Sequence, residues 1–156
     1  MSASDPARPV IRYVHRHRVR YRECDPMGVV YHAHVLDWFE AARTEALRSA
    51  GLPYADLEAG GVIMPVTEAT VRYHASARYD DEVEIETTFP EVGVRVPIDY
   101  AVRRAGEDAV LMSGRVTLCF VDVARGRPVP PPAAVQAAFD RAEAAARAAE
   151  RAASGA

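Results

Sequence analysis

Two hydrophobic periods divide this chain. Between residues 10 and 22, Arg12, Arg16, Arg18, Arg20 and Arg22 fall on one side, with Tyr13, His15, His17, Val19 and Tyr21 on the other, and this period of two predicts a strand. From about His32 to Ala50 the spacing changes. Val35, Trp38, Phe39, Ala42, Ala46 and Leu47 recur every three or four residues, the stripe of a helix buried on one face. Glu40, Arg43, Glu45 and Arg48 fall mostly off that stripe, and Gly51 and Pro53 supply the stop.

The period then returns to two. Residues 62–75 predict one long extended run, Glu82, Glu84 and Glu86 alternate with Val83, Ile85 and Thr87, and residues 92–102 alternate over eleven positions. Pro97 cannot donate to a ladder, so its strand is expected at an edge or bulged. Residues 110–121 are apolar on both faces, as in a central strand. The stretch from Ala105 to Glu107 predicts a hairpin turn, and residues 133–152 a helix with a weak apolar stripe. One amphipathic helix and one broad apolar sheet must bury each other. The expected architecture is α+β, an antiparallel sheet wrapped around one long helix, with outer edges covered by a second copy. Residues 1–10 are expected to form a disordered leader, residues 11–127 the domain, and residues 128–156 a Pro-rich turn and Ala-rich tail.

Composition narrows the chemistry. The 156 residues contain no lysine, all 19 basic residues being arginine, which excludes Schiff-base catalysis and a Walker-type phosphate loop. A net charge of −3 provides no general attraction for nucleic acid, and the arginine row reads as a solvated strand face. Two cysteines predict reduced thiols, and the absence of a long apolar run or an apolar leader predicts a cytoplasmic protein without a membrane span. His15, His17, His32 and His34 lack convincing metal spacing, so neither metal nor cofactor is expected.

The candidate chemistry lies from Cys24 through Asp25, Pro26, Met27, Gly28, Val29, Val30 and Tyr31 to His32. An acid in a tight turn precedes a helix whose first N–H groups are unpaired and carry partial positive charge. A carboxylate facing such donors is the minimum apparatus for acyl transfer. The same residues also suit a plain turn and helix cap, so the local pattern leaves both readings open.

This stretch, with its continuation from Trp38 to Glu45, resembles hotdog-fold thioesterases of the 4-hydroxybenzoyl-CoA type, including those found beside Tol-Pal genes. Supporting blocks run from Val71 to Asp81 and from Leu118 to Asp122. The resemblance implies a hotdog fold and hydrolysis of an acyl-CoA thioester, with active sites formed between the subunits of a homodimer, or of a tetramer built from it. It implies Asp25 as nucleophile or general base, backbone N–H groups near Tyr31 and His32 as oxyanion donors, and His32 as a group orienting the thioester. Gly28 and Val30 would border the substrate in the loop; by residue type Trp38 and Met64 suit an acyl pocket and the core alike, and both readings stay open. The turn after Phe89 often carries a basic residue in this family; here Arg95 is the one nearby, leaving a CoA or a carrier-protein thioester open. Alternatives of the same fold are an acyl-thioester hydratase or dehydratase, with His32 paired to Asp25, and a non-catalytic acyl-thioester binding protein.

Overall fold

The computed structural model describes residues 11–155, so the expected leader lies outside the described residues. Five strands form an antiparallel sheet in the order β1 (Ile11–Arg18), β4 (Glu82–Phe89), β5 (Arg95–Arg104), β6 (Val110–Cys119) and β3 (Val66–Tyr73). A small second sheet joins β2 (Val62–Ile63), β7 (Val121–Asp122) and β8 (Arg127–Pro128). The helices are α1 (His34–Ser49), α2 (Tyr54–Ala59) and α3 (Ala133–Ser154). This is the hotdog arrangement, with the sheet curved around α1.

All six stripe positions of α1 are buried, against Val83, Ile85 and Phe89 of β4, Val96, Ile98, Tyr100 and Val102 of β5, and Met112, Val116 and Leu118 of β6. Burying each large apolar side chain contributes ~1.5–3 kcal/mol. Phe39 stacks on Tyr100 with ring centroids 4.1 Å apart, over Gly114 of β6. A Cβ on Gly114 would stand 2.6 Å from Phe39 Cε2 and 2.7 Å from the Thr70 carbonyl, so helix and sheet meet there only because that position has no side chain. On the outer face the arginine row is matched across strands: Arg16 pairs with Glu84 at 2.8 Å and Arg18 with Glu82 at 2.7 Å.

Three expectations change. The extended run over residues 62–75 is two strands, β2 and β3, separated at Met64 and Pro65. The eleven-residue alternation becomes a strand only from Arg95. Pro97 lies in an interior strand, between β4 and β6. The reason is local. The Phe120 N–H donates to the Val94 carbonyl, so in an antiparallel ladder the even residues of β5 bond to β6 and Pro97 faces the β4 side. β4 ends at Phe89, and its last pair with β5 is Thr88 with Asp99, so Pro97 has no strand there to receive an N–H.

The hairpin at Gly106 forms as expected between β5 and β6. α3 exceeds its weak pattern. Val135 and Ala138 are buried, and Phe139 packs edge-to-face on Phe89 with centroids 5.4 Å apart. Both cysteines are free thiols. Among the described residues no helix is long and apolar enough to cross a membrane.

Candidate functional site

The Asp25 loop is a closed and heavily cross-tied turn. The Gly28 N–H donates to the Asp25 carbonyl at 2.9 Å, which places Asp25, Pro26 and Gly28 at the first, second and fourth positions of a β-turn, where each is favoured. Gly28 has φ +76°, a conformation other residues rarely adopt, and open space around its α-carbon; backbone angle rather than a close approach requires glycine here. The Asp25 N–H donates to the Val29 carbonyl, Cys24 bridges Val30, and the Val30 N–H reaches the Ala77 carbonyl, each N–H···O distance being 2.9 Å.

Asp25 is half-buried. Its Oδ1 accepts the Met27 N–H at 2.9 Å, whereas Oδ2 accepts no hydrogen bond among the described residues. One oxygen therefore fixes the rotamer and the other is available for chemistry.

The residue that fixes this loop to the rest of the molecule is Glu23, 8% exposed. Its carboxylate accepts the Trp38 indole N–H at 3.0 Å from α1 and the Arg20 N–H at 2.7 Å, and lies 2.9 and 3.1 Å from His17 Nε2 on β1. Its own carbonyl accepts the Tyr31 N–H at 2.9 Å. One side chain thus sets the strand, the loop and the helix relative to one another. Burial pushes its carboxyl upward, but the bonds from Arg20, His17 and Trp38 outweigh that and hold it below its ordinary value of 4.5. The run of residues around Asp25 included Glu23 without giving it a role; its one signal was the three-residue spacing from Arg20, the spacing of a capping box.

The helix begins two residues later than expected, at His34. Of the amides expected near the helix start, one is engaged. The Tyr31 N–H is spent on Glu23, and the amides of His34, Val35 and Leu36 donate to the carbonyls of Tyr31, His32 and Ala33. The N–H groups of His32 and Ala33 have no partner among the described residues, and Ala33 provides no side-chain cap. They are the donors left at the positive end of α1. The Tyr73 hydroxyl donates to the His32 carbonyl at 2.8 Å, tying the end of β3 to this peptide. The exposed His32 ring lies against Tyr31, with centroids 4.4 Å apart, and makes no hydrogen bond to Asp25 among the described residues.

The remaining predicted contacts divide. Asp25, Gly28, Tyr31 and His32 lie on the segment that leads into α1, with Gly28, Tyr31 and His32 exposed. Val30 and Trp38 are core side chains, Trp38 with 2% exposure and its single polar atom on Glu23, so neither offers a wall to a ligand in this chain. Met64 borders a cavity of about 210 Å³ on the flank of α1, with Glu40, Arg43, Thr44, Leu47, Tyr54 and Leu118. Arg43, placed off the helix stripe by pattern, is largely buried there. Arg95 begins β5, whereas the Asp25 loop lies near the other end of the sheet, where Ala77 meets Val30 and Arg104 meets Asp81. Nine residues of strand separate Arg95 from Arg104, roughly 30 Å at ~3.3 Å per residue. Within one chain, Arg95 does not reach the Asp25 loop.

The family model of the Thioesterase-like superfamily matches residues 19–139. The acyl-CoA thioester hydrolase YbgC of Escherichia coli is 35% identical over 123 residues, covering 78% of this chain and 91% of that protein. The putative acyl-CoA thioesterase YneP of Bacillus subtilis is 39% identical over 69 residues, spanning half of its own length. The DHNA-CoA thioesterase of Staphylococcus aureus superposes with a TM-score of 0.78 at 28% identity, over 85% of this chain and 91% of that one. The family model runs through the Asp25 loop, α1 and most of the sheet, and this chain belongs to the Thioesterase-like superfamily.

Proposed function

We propose that the protein hydrolyses acyl-CoA thioesters at the Asp25 loop. The observation that carries the reading is the division of labour around Glu23: the Tyr31 amide closes the loop, and the next two amides are left free beside a turn whose acid has one uncommitted oxygen. With the thioester oxygen on the His32 and Ala33 amides, the Asp25 carboxylate either attacks the carbonyl carbon or takes a proton from a water that does. In the first route the C–S bond breaks, the thiolate leaves and takes a proton, and water hydrolyses the mixed anhydride, restoring Asp25. In the second, the water oxygen ends in the acid directly. In both, preorganised donors meet the charge that develops on oxygen. His32, with its exposed ring beside Tyr31, orients the thioester.

The relatives' names support an acyl-CoA substrate. Tyr21, Met27, Tyr31, Tyr73 and Tyr79 surround the loop as exposed large side chains, which supports a homodimer whose second subunit completes the cleft. A coenzyme A ester as substrate supports a cytoplasmic location.

The reading is tested by incubation with a panel of acyl-CoA esters, measuring free thiol and free acid together. Equal release of both is expected for at least one ester. Consumption of an ester without thiol would assign a hydratase instead, and tight binding without turnover a carrier.

A further inference from the structure

Arg95 of the same chain lies at the far end of β5, so within this chain the phosphates of a coenzyme A ester bound at the Asp25 loop meet other arginines. Of the arginines near the Asp25 loop, Arg16, Arg18 and Arg104 are committed to Glu84, Glu82 and Asp81, whereas Arg20, Arg22 and Arg78 form no ion pair among the described residues. Arg78 is the one packed beside Gly28. Its N–H donates to Asp81 Oδ2 at 2.9 Å and its carbonyl accepts the Asp81 N–H at 3.1 Å, so its backbone is fixed. Its guanidinium has no ion pair or hydrogen bond among the described residues, and Nη1 lies 3.9 Å from where a Cβ on Gly28 would stand.

Beside it is an aromatic surface. Tyr79 is 58% exposed and meets Tyr21, 81% exposed, edge-to-face with centroids 5.6 Å apart. The following residue, Asp80, has φ 70°, an uncommon conformation for a non-glycine residue and one that recurs where a loop is held for function. The nearby carboxylates are engaged: Asp81 with Arg104 and the Arg78 N–H, Asp80 with Arg18 at 3.9 Å, and Asp25 through Oδ1 with Met27.

A planar guanidinium fits phosphate oxygens in pairs, and exposed aromatic faces stack bases. We infer that Arg78 holds the diphosphate, and the Tyr21–Tyr79 pair the adenine, of a coenzyme A ester whose pantetheine arm crosses the bare α-carbon of Gly28 to reach Asp25. The inference rests on the thioester hydrolase reading and specifies the carrier of the acyl group: coenzyme A, not a protein-bound pantetheine.

The test compares one acyl group on coenzyme A and on N-acetylcysteamine, which lacks the nucleotide, in the wild type, Arg78→Met, Tyr79→Ala and Arg95→Met. The preference for the coenzyme A ester is expected to fall at least tenfold in Arg78→Met and Tyr79→Ala, through KM, and to persist in Arg95→Met. Titration calorimetry with adenosine 3′,5′-diphosphate is expected to show at least tenfold weaker binding to Arg78→Met. Wild-type preference and nucleotide affinity in Arg78→Met, or loss of preference in Arg95→Met alone, would overturn the assignment. If the wild type hydrolyses no thioester, the activity reading fails on its own, and the nucleotide titration still decides for or against Arg78.

Discussion

Replacing Glu23 with Gln changes no volume but cannot preserve the bonds around it. The carboxylate presents one oxygen to the Trp38 N–H and the other to the Arg20 N–H, both donors, with His17 Nε2 between them. An amide has one oxygen and one NH2 group, so whichever way it is turned, one of those N–H groups faces another donor. The loss is one hydrogen bond to a charged acceptor, ~1.5–3 kcal/mol, together with part of the ~1–3 kcal/mol for leaving a buried donor unsatisfied. We expect a destabilisation of about 2–4 kcal/mol, or a fall in Tm of roughly 4–16 °C at the ~2–4 °C per kcal/mol of a domain this size. Because the same carboxylate sets the loop against α1, the folded enzyme should also be slower. A misplacement of about 1 Å costs on the order of 100-fold, so kcat is expected to fall between tenfold and a hundredfold, with KM changing less. The assay is thiol release at 20 °C, below the unfolding transition, alongside thermal denaturation followed by circular dichroism. A Glu23→Gln enzyme with wild-type Tm and kcat would refute the clamp. A lowered Tm with unchanged kcat would reduce Glu23 to a stabilising residue without influence on Asp25.

Gly28→Ala forces a side chain onto φ +76°, which costs roughly 1–2 kcal/mol in the left-handed region, and the turn should shift to relieve it; kcat is expected to fall more steeply than Tm, as read by the same two assays. Gly114→Ala would set a methyl 2.6 Å from Phe39 and 2.7 Å from the Thr70 carbonyl, and overpacking of that kind costs ~1–3 kcal/mol; calorimetry should show a lower Tm, and an unchanged one would contradict the close helix–sheet contact. Glu23 has a folded-state pKa below its unfolded value of 4.5, so its contribution to stability is present above pH 4.5 and lost as pH falls through the folded value. Denaturant titrations from pH 6 downward should show wild type and Glu23→Gln converging in that acid window.

What was legible in the sequence is what local pattern encodes. The stripe from Val35 to Leu47 gave α1 because the residues that repeat at helical spacing are also those the sheet covers. The Asp-Pro-x-Gly order gave the turn because each residue suits its backbone position without help from elsewhere. What escaped depends on distant partners. Which amides stay free is decided by the Glu23 carbonyl taking Tyr31, a contact between the two ends of the loop. A buried acid such as Glu23 resembles a surface residue until His17 and Trp38 are placed around it. Alternation identified the strand that carries Arg95 but not which end of it meets the loop. The extended run over residues 62–75 hid a break because Pro65 ends β2 just where Met64 turns into the cavity beside α1.

The most direct measurement is the kcat of Asp25→Asn on the best acyl-CoA ester. Asparagine keeps an Oδ1 to accept the Met27 N–H, so the turn survives while the attacking or proton-accepting oxygen is gone. Loss of a positioned acid or base removes ~10²–10⁴-fold, and a fall of at least that size, with Tm unchanged, is the expected result. An Asp25→Asn enzyme that folds normally and turns over at the wild-type rate would contradict the account.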